Sequence, residues 1–510
     1  MTEEDGGVGI NGVLPTREYE GKTTIHVILA CLVAATGGLI FGYDIGISGG
    51  VTSMNDFLIK FFPVVYERKL SAQESDYCKY DNQGLQAFTS SLYIAGLLAT
   101  LVASYTTRKW GRRATMFIGG TSYLVGSILN AAAQDLAMLI IGRIMLGIGV
   151  GFGNQAVPLY LSELAPARWR GALNMLFQLA TTTGNLTANL INYGTGKINP
   201  WGWRLSLGLA GVPACLLILG SILAPETPNS LIERGHFEKG RATLEKVRGT
   251  PNVDLEYDDI LEASRAANQV KHPFRNILQR KNRPQLAMAI FCPFFQEFTG
   301  INNILFYAPV LFQTIGFGAD ASLYSAVITG ACLWGFTFVT ILTVDRWGRR
   351  KLLLTGGLLM FISQVLIGII LALKFVGNQP LPKNYATAVV VLICLYVAAF
   401  SWSWGGLGWL IPSEVFSLQT RSAGQSITVC VNLMFVFVIA QAFLTMLCHM
   451  QFGIFLFFSG WVFIMTVSVY FFLPETKGVP IEEMSLLWRS HWFWRRFVPP
   501  PEDEKPPPPT

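Results

Sequence analysis

Two opposite charges, Asp44 and Arg143, sit inside otherwise apolar runs. An ionised side chain in hydrocarbon is costly and marks a functional position by default. Counted from the outer ends of their runs, near Thr52 and Asp135, each lies about eight residues deep, or about 12 Å at helical rise. Equal depth allows contact. A carboxylate beside a guanidinium is held as the anion, whereas one desolvated without it tends to take a proton. A changing Asp44–Arg143 distance would therefore turn protonation into a conformational signal. The plainer alternative is a static ion pair that only holds helices together.

A second set is mostly uncharged. Gln178, Gln296, Asn302 and Asn432 lie well inside apolar runs, and Trp409 follows the break Gly405-Gly406-Leu407-Gly408. Amides donate and accept at once, which suits a ligand with many hydroxyls and no charge, and an aromatic face suits a ring. Any one amide alone reads as an interhelical hydrogen bond. Glu297, beside Gln296, is an acid near mid-membrane. It is either an ionised acceptor, stronger than an amide, or a neutral buried acid. The sequon Asn185-Leu186-Thr187 falls inside a run and is expected to be unmodified.

The elements that carry these residues are membrane spans. The chain has 510 residues, 51% hydrophobic and only 14% charged, against roughly 25% charged in a soluble domain. Runs about as long as the roughly 20 residues needed to cross hydrocarbon place twelve helices, at 24–52, 83–105, 114–133, 136–162, 171–192, 202–224, 285–315, 320–344, 351–375, 385–412, 422–447 and 452–473. The expected fold is all-α, with six spans in 24–224 and six in 285–473. Around them lie an N-terminal segment 1–23, an outer loop 53–82, a charged helical linker 225–284 and a tail 474–510. The basic clusters Arg108 to Arg113, Arg168 with Arg170, Arg346 to Lys351, and Arg421 share one side with both termini. Short basic loops stay cytoplasmic, so both termini are expected there, and the first span is read as retained rather than cleaved. The patch His491 to Arg496 reads as an interfacial anchor, and Pro499 to Thr510 as an extended Pro-rich end. Six of the eight cysteines fall inside spans. Cys78 and Cys448 sit at the outer, oxidising face, where they either pair or remain free thiols.

Three signatures occur twice and in order. Trp110-Gly111-Arg112-Arg113 returns as Trp347-Gly348-Arg349-Arg350. Ser162-Glu163 with Arg170 returns as Ser413-Glu414 with Arg421, and Pro225-Glu226-Thr227 as Pro474-Glu475-Thr476. Each copy falls at the same place in its half. Two related bundles with a ligand near the midplane between them are the architecture this implies. The repeated charges Arg112, Arg113, Glu163, Arg170, Glu226, Asp345, Arg349, Arg350, Glu414, Arg421 and Glu475 are expected to form a cytoplasmic gate whose Glu–Arg pairs bridge the two bundles.

The stretches Gly37-Gly38-Leu39-Ile40-Phe41-Gly42-Tyr43-Asp44, Gly142-Arg143 with Gly147, Gly149 and Gly151, Pro158-Leu159-Tyr160-Leu161-Ser162-Glu163, Pro225-Glu226-Thr227-Pro228, Gln296 with Gly300-Ile301-Asn302, and Pro474-Glu475-Thr476-Lys477-Gly478 resemble the sugar-porter branch of the major facilitator superfamily. The loop Tyr77 to Gly84 is similar to that of plant monosaccharide–proton symporters. The resemblance spans roughly 24–497. It implies the major facilitator fold and import of a monosaccharide with a proton across the plasma membrane. Asp44 is implied as the proton carrier with Arg143 as its partner. Phe41, Gln178, Gln296, Glu297, Asn302, Asn303, Leu333, Trp409 and Asn432 are implied as sugar contacts. Three positions depart from the family pattern. Glu297 replaces a second Gln, Leu333 stands where Asn is common, and Gly406 where Pro is usual. These give weight to a sugar receptor that has lost transport as one alternative; the other is passive sugar uniport, against which the Asp44–Arg143 proton carrier argues. No metal, cofactor, nucleic-acid partner or enzymatic role is expected. The five His form no ligand cluster, and no phosphate-binding Gly loop with Lys is present. The expected partners are the monosaccharide, the proton and the lipid bilayer.

Overall fold

The structure, a computed structural model, describes residues 24–70, 76–165, 170–269, 273–314, 318–374, 381–416, 420–477, 479 and 484–498. The expectations for 1–23 and 499–510 lie outside it. Six helical spans form the first half: α1 (Ile25–Ser53), α2 (Gln83–Lys109), α3 (Arg112–Ala132), α4 (Leu136–Leu164), α5 (Arg170–Thr195) and α6 (Gly202–Gly208 continued by Gly211–Leu223). The second half comprises α7 (Arg283–Phe298 continued by Ile301–Thr314), α8 (Ala319–Trp347), α9 (Arg349–Lys374), α10 (Lys383–Phe400, a wide turn Ser401–Gly405, and Gly406–Val415), α11 (Arg421–Met450) and α12 (Gly453–Phe472). Among the described residues, nine helices are long and apolar enough to cross a membrane by themselves. The other three spans fall short for legible reasons. α3 carries Gly119, Gly120, Ser122, Tyr123, Ser127 and Asn130, α5 carries Asn174, Gln178, Asn185, Asn189 and Asn192, and α7 is broken at Gly300, where φ is +84°.

Local chemistry sets the starts and close approaches of these helices. The side chains of Asn82 and Asp135 accept from Leu85 N (3.1 Å) and Met138 N (2.8 Å) and so cap α2 and α4; such caps satisfy otherwise orphaned donors. α1 carries Gly38, Gly42 and Gly46 on one stripe. A Cβ at Gly42 would come within 1.7 Å of the Thr181 carbonyl oxygen, so small residues let α1 lie against α5 backbone to backbone. That contact turns Phe41 and Ile45 toward the residues one turn apart on α5.

The two ends of the bundle differ. At one face the halves are joined covalently by Cys78–Cys448, with Cα atoms 4.4 Å apart. Thr445 Oγ1 donates to Asp81 (2.7 Å), Gln86 donates to Thr445 (3.0 Å), and Tyr80 donates to Gln313. The loop between α1 and α2 folds over this face as helices Asn55–Phe61 and Pro63–Leu70. Its Phe57 ring lies 5.3 Å from Phe88 and 5.8 Å from Trp203. Lys69 of this loop donates to Asn55 Oδ1 (2.8 Å). Burial, with help from Lys79, pulls its ammonium down to about 8.

The opposite, basic face holds short helices between α6 and α7, including Phe237–Arg248 and Asp254–Gln269, linked by Arg248–Glu256 at 2.6 Å. Here too the indoles of Trp492 and Trp494 donate to the last carbonyls of α12, Phe471 O (3.1 Å) and Phe472 O (2.7 Å). They satisfy acceptors that a helix end leaves open.

Candidate functional site

Asp44 and Arg143 meet, and both are 0% exposed. Arg143 Nη1 pairs with Asp44 Oδ1. The rest of the guanidinium is also engaged: Nη2 donates to Ser48 Oγ (2.7 Å), Nε donates to the Phe88 carbonyl (3.0 Å), and the group lies 4.6 Å from the Phe88 ring centre. Tyr93 donates to Asp44 Oδ2 at 3.3 Å. A buried pair is tolerable only when its remaining donors and lone pairs are satisfied in this way. Ser48 is one helical turn from Asp44, a spacing that puts both on one face. Tyr93 and Phe88, on α2, had no legible signal beyond being aromatics in an apolar run.

A cavity with about 480 Å³ of empty space, part of it open to solvent, lies between the halves. Phe41, Gln178, Gln296, Glu297, Asn302, Leu333, Trp409 and Asn432 all line it. Asn303 does not; it is 1% exposed and its side chain makes no hydrogen bond. Gln296 Nε2 donates to the carbonyls of Trp404 (3.0 Å) and Gly405 (3.2 Å), which the wide turn of α10 frees. Glu297 accepts from Asn432 Nδ2 (2.7 Å) and from Asn302 Nδ2. Leu333 presents an apolar wall. A Cβ at Gly406 would meet Met175 Sδ at 2.7 Å, so the glycine permits α5 and α10 to close together.

Thr181, Thr182 and Asn185 also line the cavity. Sequence reasoning passed over them, yet with Gln178 they form the i, i+3, i+4, i+7 stripe of one helix face. A smaller space of about 330 Å³, lined by Asn174, Met175 and Gln425, shares Gln178 and Trp409 and continues toward the basic face.

The repeated charges form one network in each half rather than pairs between halves. In the first half, Arg112 pairs with Glu163 (2.7 Å) and Glu233 (2.8 Å), and its backbone N–H donates to Glu226 (3.2 Å). Arg113 donates to the Ser221 carbonyl (2.6 Å). In the second half, Arg349 pairs with Glu414 (2.7 Å) and Asp345 (3.1 Å). The N–H groups of Arg349 and Arg350 donate to Glu475 at 2.8 and 3.0 Å. Arg350 also bonds the Tyr470 carbonyl.

The ion pairs of Arg112 and of Arg349 each stay within one half, where the expectation had Glu–Arg pairs bridging the two. The cause is local. Gly111 (φ +96°) and Gly348 (φ +86°) turn the chain so that the following N–H groups face the Glu that ends the sixth span of the same half. The side chain of Arg170 lies outside the described residues. Arg421 begins α11, half-buried, in the second half. On the basic face the halves touch through neutral groups instead. Asn174 Nδ2 donates to Ser413 Oγ (3.2 Å), and Ser426 Oγ donates to Gln155 Oε1 (3.3 Å).

The family described as "Sugar (and other) transporter" matches residues 30–488. Sugar transport protein 7 of Arabidopsis thaliana is 65% identical over 496 residues, covering 97% of each chain. Sugar carrier protein A of Ricinus communis is 64% identical, covering 94% of this chain and 92% of its own. Among solved structures, the proton:xylose symporter XylE bound to 6-bromo-6-deoxy-D-glucose aligns with a TM-score of 0.78 at 25% identity, over 92% of this chain and all of that one. An inward-open form of XylE from E. coli aligns with a TM-score of 0.70 over 90% of this chain and 99% of that one.

Proposed function

The chain belongs to the sugar transporter family, with the major facilitator fold, and from that premise we propose that it imports a monosaccharide together with a proton by alternating access. The observation that carries proton coupling is the fully buried Asp44–Arg143 pair. Passive equilibration needs no titrating acid at such a position. Protonation of Asp44 removes the charge that Arg143 faces. Arg143 then keeps only Ser48, the Phe88 carbonyl and the Phe88 ring, so the tie between α1 and α4 is loosened to the Ser48 bond. Rebinding of the free guanidinium returns Asp44 to the anion and expels the proton.

The monosaccharide occupies the central cavity. Gln178, Gln296, Asn302 and Asn432 offer donors and acceptors to its hydroxyls, Trp409 and Phe41 flank the ring, and Leu333 gives one apolar side. The two networks around Arg112 and Arg349 hold the ends of three spans of each half together, so that each half rocks as a body. The gate between halves is then the set of neutral contacts, Asn174–Ser413 and Gln155–Ser426. The basic face is cytoplasmic by its loop charges, which places both termini inside the cell and the disulfide outside, at the plasma membrane.

The test is uptake of labelled hexose by proteoliposomes with an acidic exterior. Accumulation above the external concentration, abolished by a protonophore, is expected. Equilibration to the external concentration, unaltered by the protonophore, refutes the symport reading.

A further inference from the structure

Glu297 is a buried carboxylate without a counter-ion. It is 2% exposed and lines the central cavity. Its two oxygens accept from neutral amides, Asn432 Nδ2 and Asn302 Nδ2, and among the described residues no Lys, Arg or His pairs with it. Arg143, the cation nearest in kind, is committed to Asp44, Ser48 and Phe88. The amide that binds Glu297 also carries an unsatisfied acceptor, because Asn432 Oδ1 is buried and unpartnered. The wall around Glu297 is therefore short of positive charge among the described residues. A sugar hydroxyl supplies one donor and no charge, whereas an ammonium supplies three donors and the missing charge.

We propose that the cavity takes amino sugars, monosaccharides carrying a protonated amine, in preference to their neutral parents, with Glu297 as the counter-ion and Asn432 Oδ1 as a second acceptor for the ammonium. The inference rests on the reading of this cavity as the monosaccharide site. It makes Glu297 the residue that decides between charged and neutral substrates. The remaining hydroxyls of the ring still meet Gln178, Gln296 and Asn302.

The experiment is displacement of labelled glucose from the full-length protein in lipid nanodiscs at about pH 6, below the roughly 7.7–8.0 range of an α-amino group. Competitors are glucosamine, N-acetylglucosamine and unlabelled glucose. Glucosamine is expected to compete about tenfold better than glucose, the lower end of what hydrogen bonds to a charged group contribute. N-acetylglucosamine, without the charge, is expected to lose that advantage. In Glu297→Gln the ratio of glucosamine to glucose competition is expected to fall to about one. In the unmutated protein, raising the pH through the amine's range is expected to remove the advantage, which keeps the test independent of how the variant folds. Equal competition by glucosamine and glucose overturns the proposal. So does an advantage that survives Glu297→Gln or deprotonation of the amine. Failure of the unmutated protein to bind any sugar overturns instead the functional reading on which it rests.

Discussion

Asp44→Asn separates coupling from transport. Asn keeps the size of the side chain and an acceptor for Arg143 and Tyr93, but cannot titrate. Breaking a buried ion pair costs about 3–5 kcal/mol when one charge is left uncompensated. Here the guanidinium retains Ser48 at 2.7 Å, the Phe88 carbonyl at 3.0 Å and the Phe88 ring at 4.6 Å. These retained partners keep the guanidinium from being left wholly uncompensated, the condition behind the largest cost, so the variant is expected to fold. The effect on coupling is large. One carboxylate carries one proton per cycle. With an exterior one pH unit more acid, that proton supplies about 1.4 kcal/mol, and a potential of about 100 mV adds about 2.3 kcal/mol. Together they permit roughly 500-fold accumulation of sugar. In proteoliposomes under such a gradient, Asp44→Asn is expected to bring the accumulation ratio to about one, while exchange of labelled for unlabelled sugar across the membrane continues. Retained uphill accumulation would remove Asp44 from the proton path, whatever its structural role.

Three further outcomes follow from the geometry. Gly348→Ala puts a Cβ 2.5 Å from Glu475 Oε2 at a φ of +86°. With about 1–2 kcal/mol of backbone cost, it is expected to lower the thermal midpoint by about 1–2 °C; an unchanged midpoint would show that the turn does not depend on Glu475. Lys69 has a folded-state pKa of about 8, below the ordinary 10.5, so its charge opposes folding fully below pH 8 and progressively less as pH rises to 10.5. Lys69→Met is therefore expected to raise the thermal midpoint most below pH 8, with a gap that closes at higher pH; a gap that widens with pH would invert the assigned cause. Leu333→Asn adds an amide to the cavity wall and is expected to tighten hexose binding by about twofold to tenfold, the range of a net hydrogen bond, as read by isothermal titration.

Spans and site residues were legible where one physical cost dominates. Asp44 and Arg143 stand out because charge in hydrocarbon is expensive, and equal depth was enough to pair them. The cavity amides stand out for a weaker form of the same reason. Cys78 and Cys448 were reachable from topology alone. What sequence could not supply is direction. The repeated Arg and Glu residues were rightly grouped, but their pairing depends on two left-handed glycines, Gly111 and Gly348, which turn each cluster back on its own half. Tyr93 and Phe88 were invisible because an aromatic in an apolar run has a packing role by default. Asn303 was grouped with its neighbour Asn302, yet a step of one residue on a helix rotates a side chain off the cavity face.

The halves repeat at the basic face and diverge at the membrane centre, and that divergence divides the work. The charged pair belongs to α1 and α4 of the first half, while Gln296, Glu297, Asn302 and Asn432 belong to the second. Coupling needs a mechanical link between them, and α7 provides one. Its break at Gly300 separates Gln296 and Glu297 from Asn302, so a ligand held by both sides fixes the angle of the segment that begins at Ile301. That segment carries Phe306, whose ring lies 5.4 Å from Tyr93, and Tyr93 donates to Asp44. On its other side the Phe306 carbonyl lies where a Cβ on Gly49 would come within 2.0 Å, one residue beyond Ser48, the partner of Arg143. Close-packed elements shift between discrete arrangements rather than bending continuously. A tilt of this segment therefore has to move Tyr93 and α1 together, and each is bonded to the proton pair. We infer that sugar and proton act on one another because both bear on the same half-helix, without any contact between them.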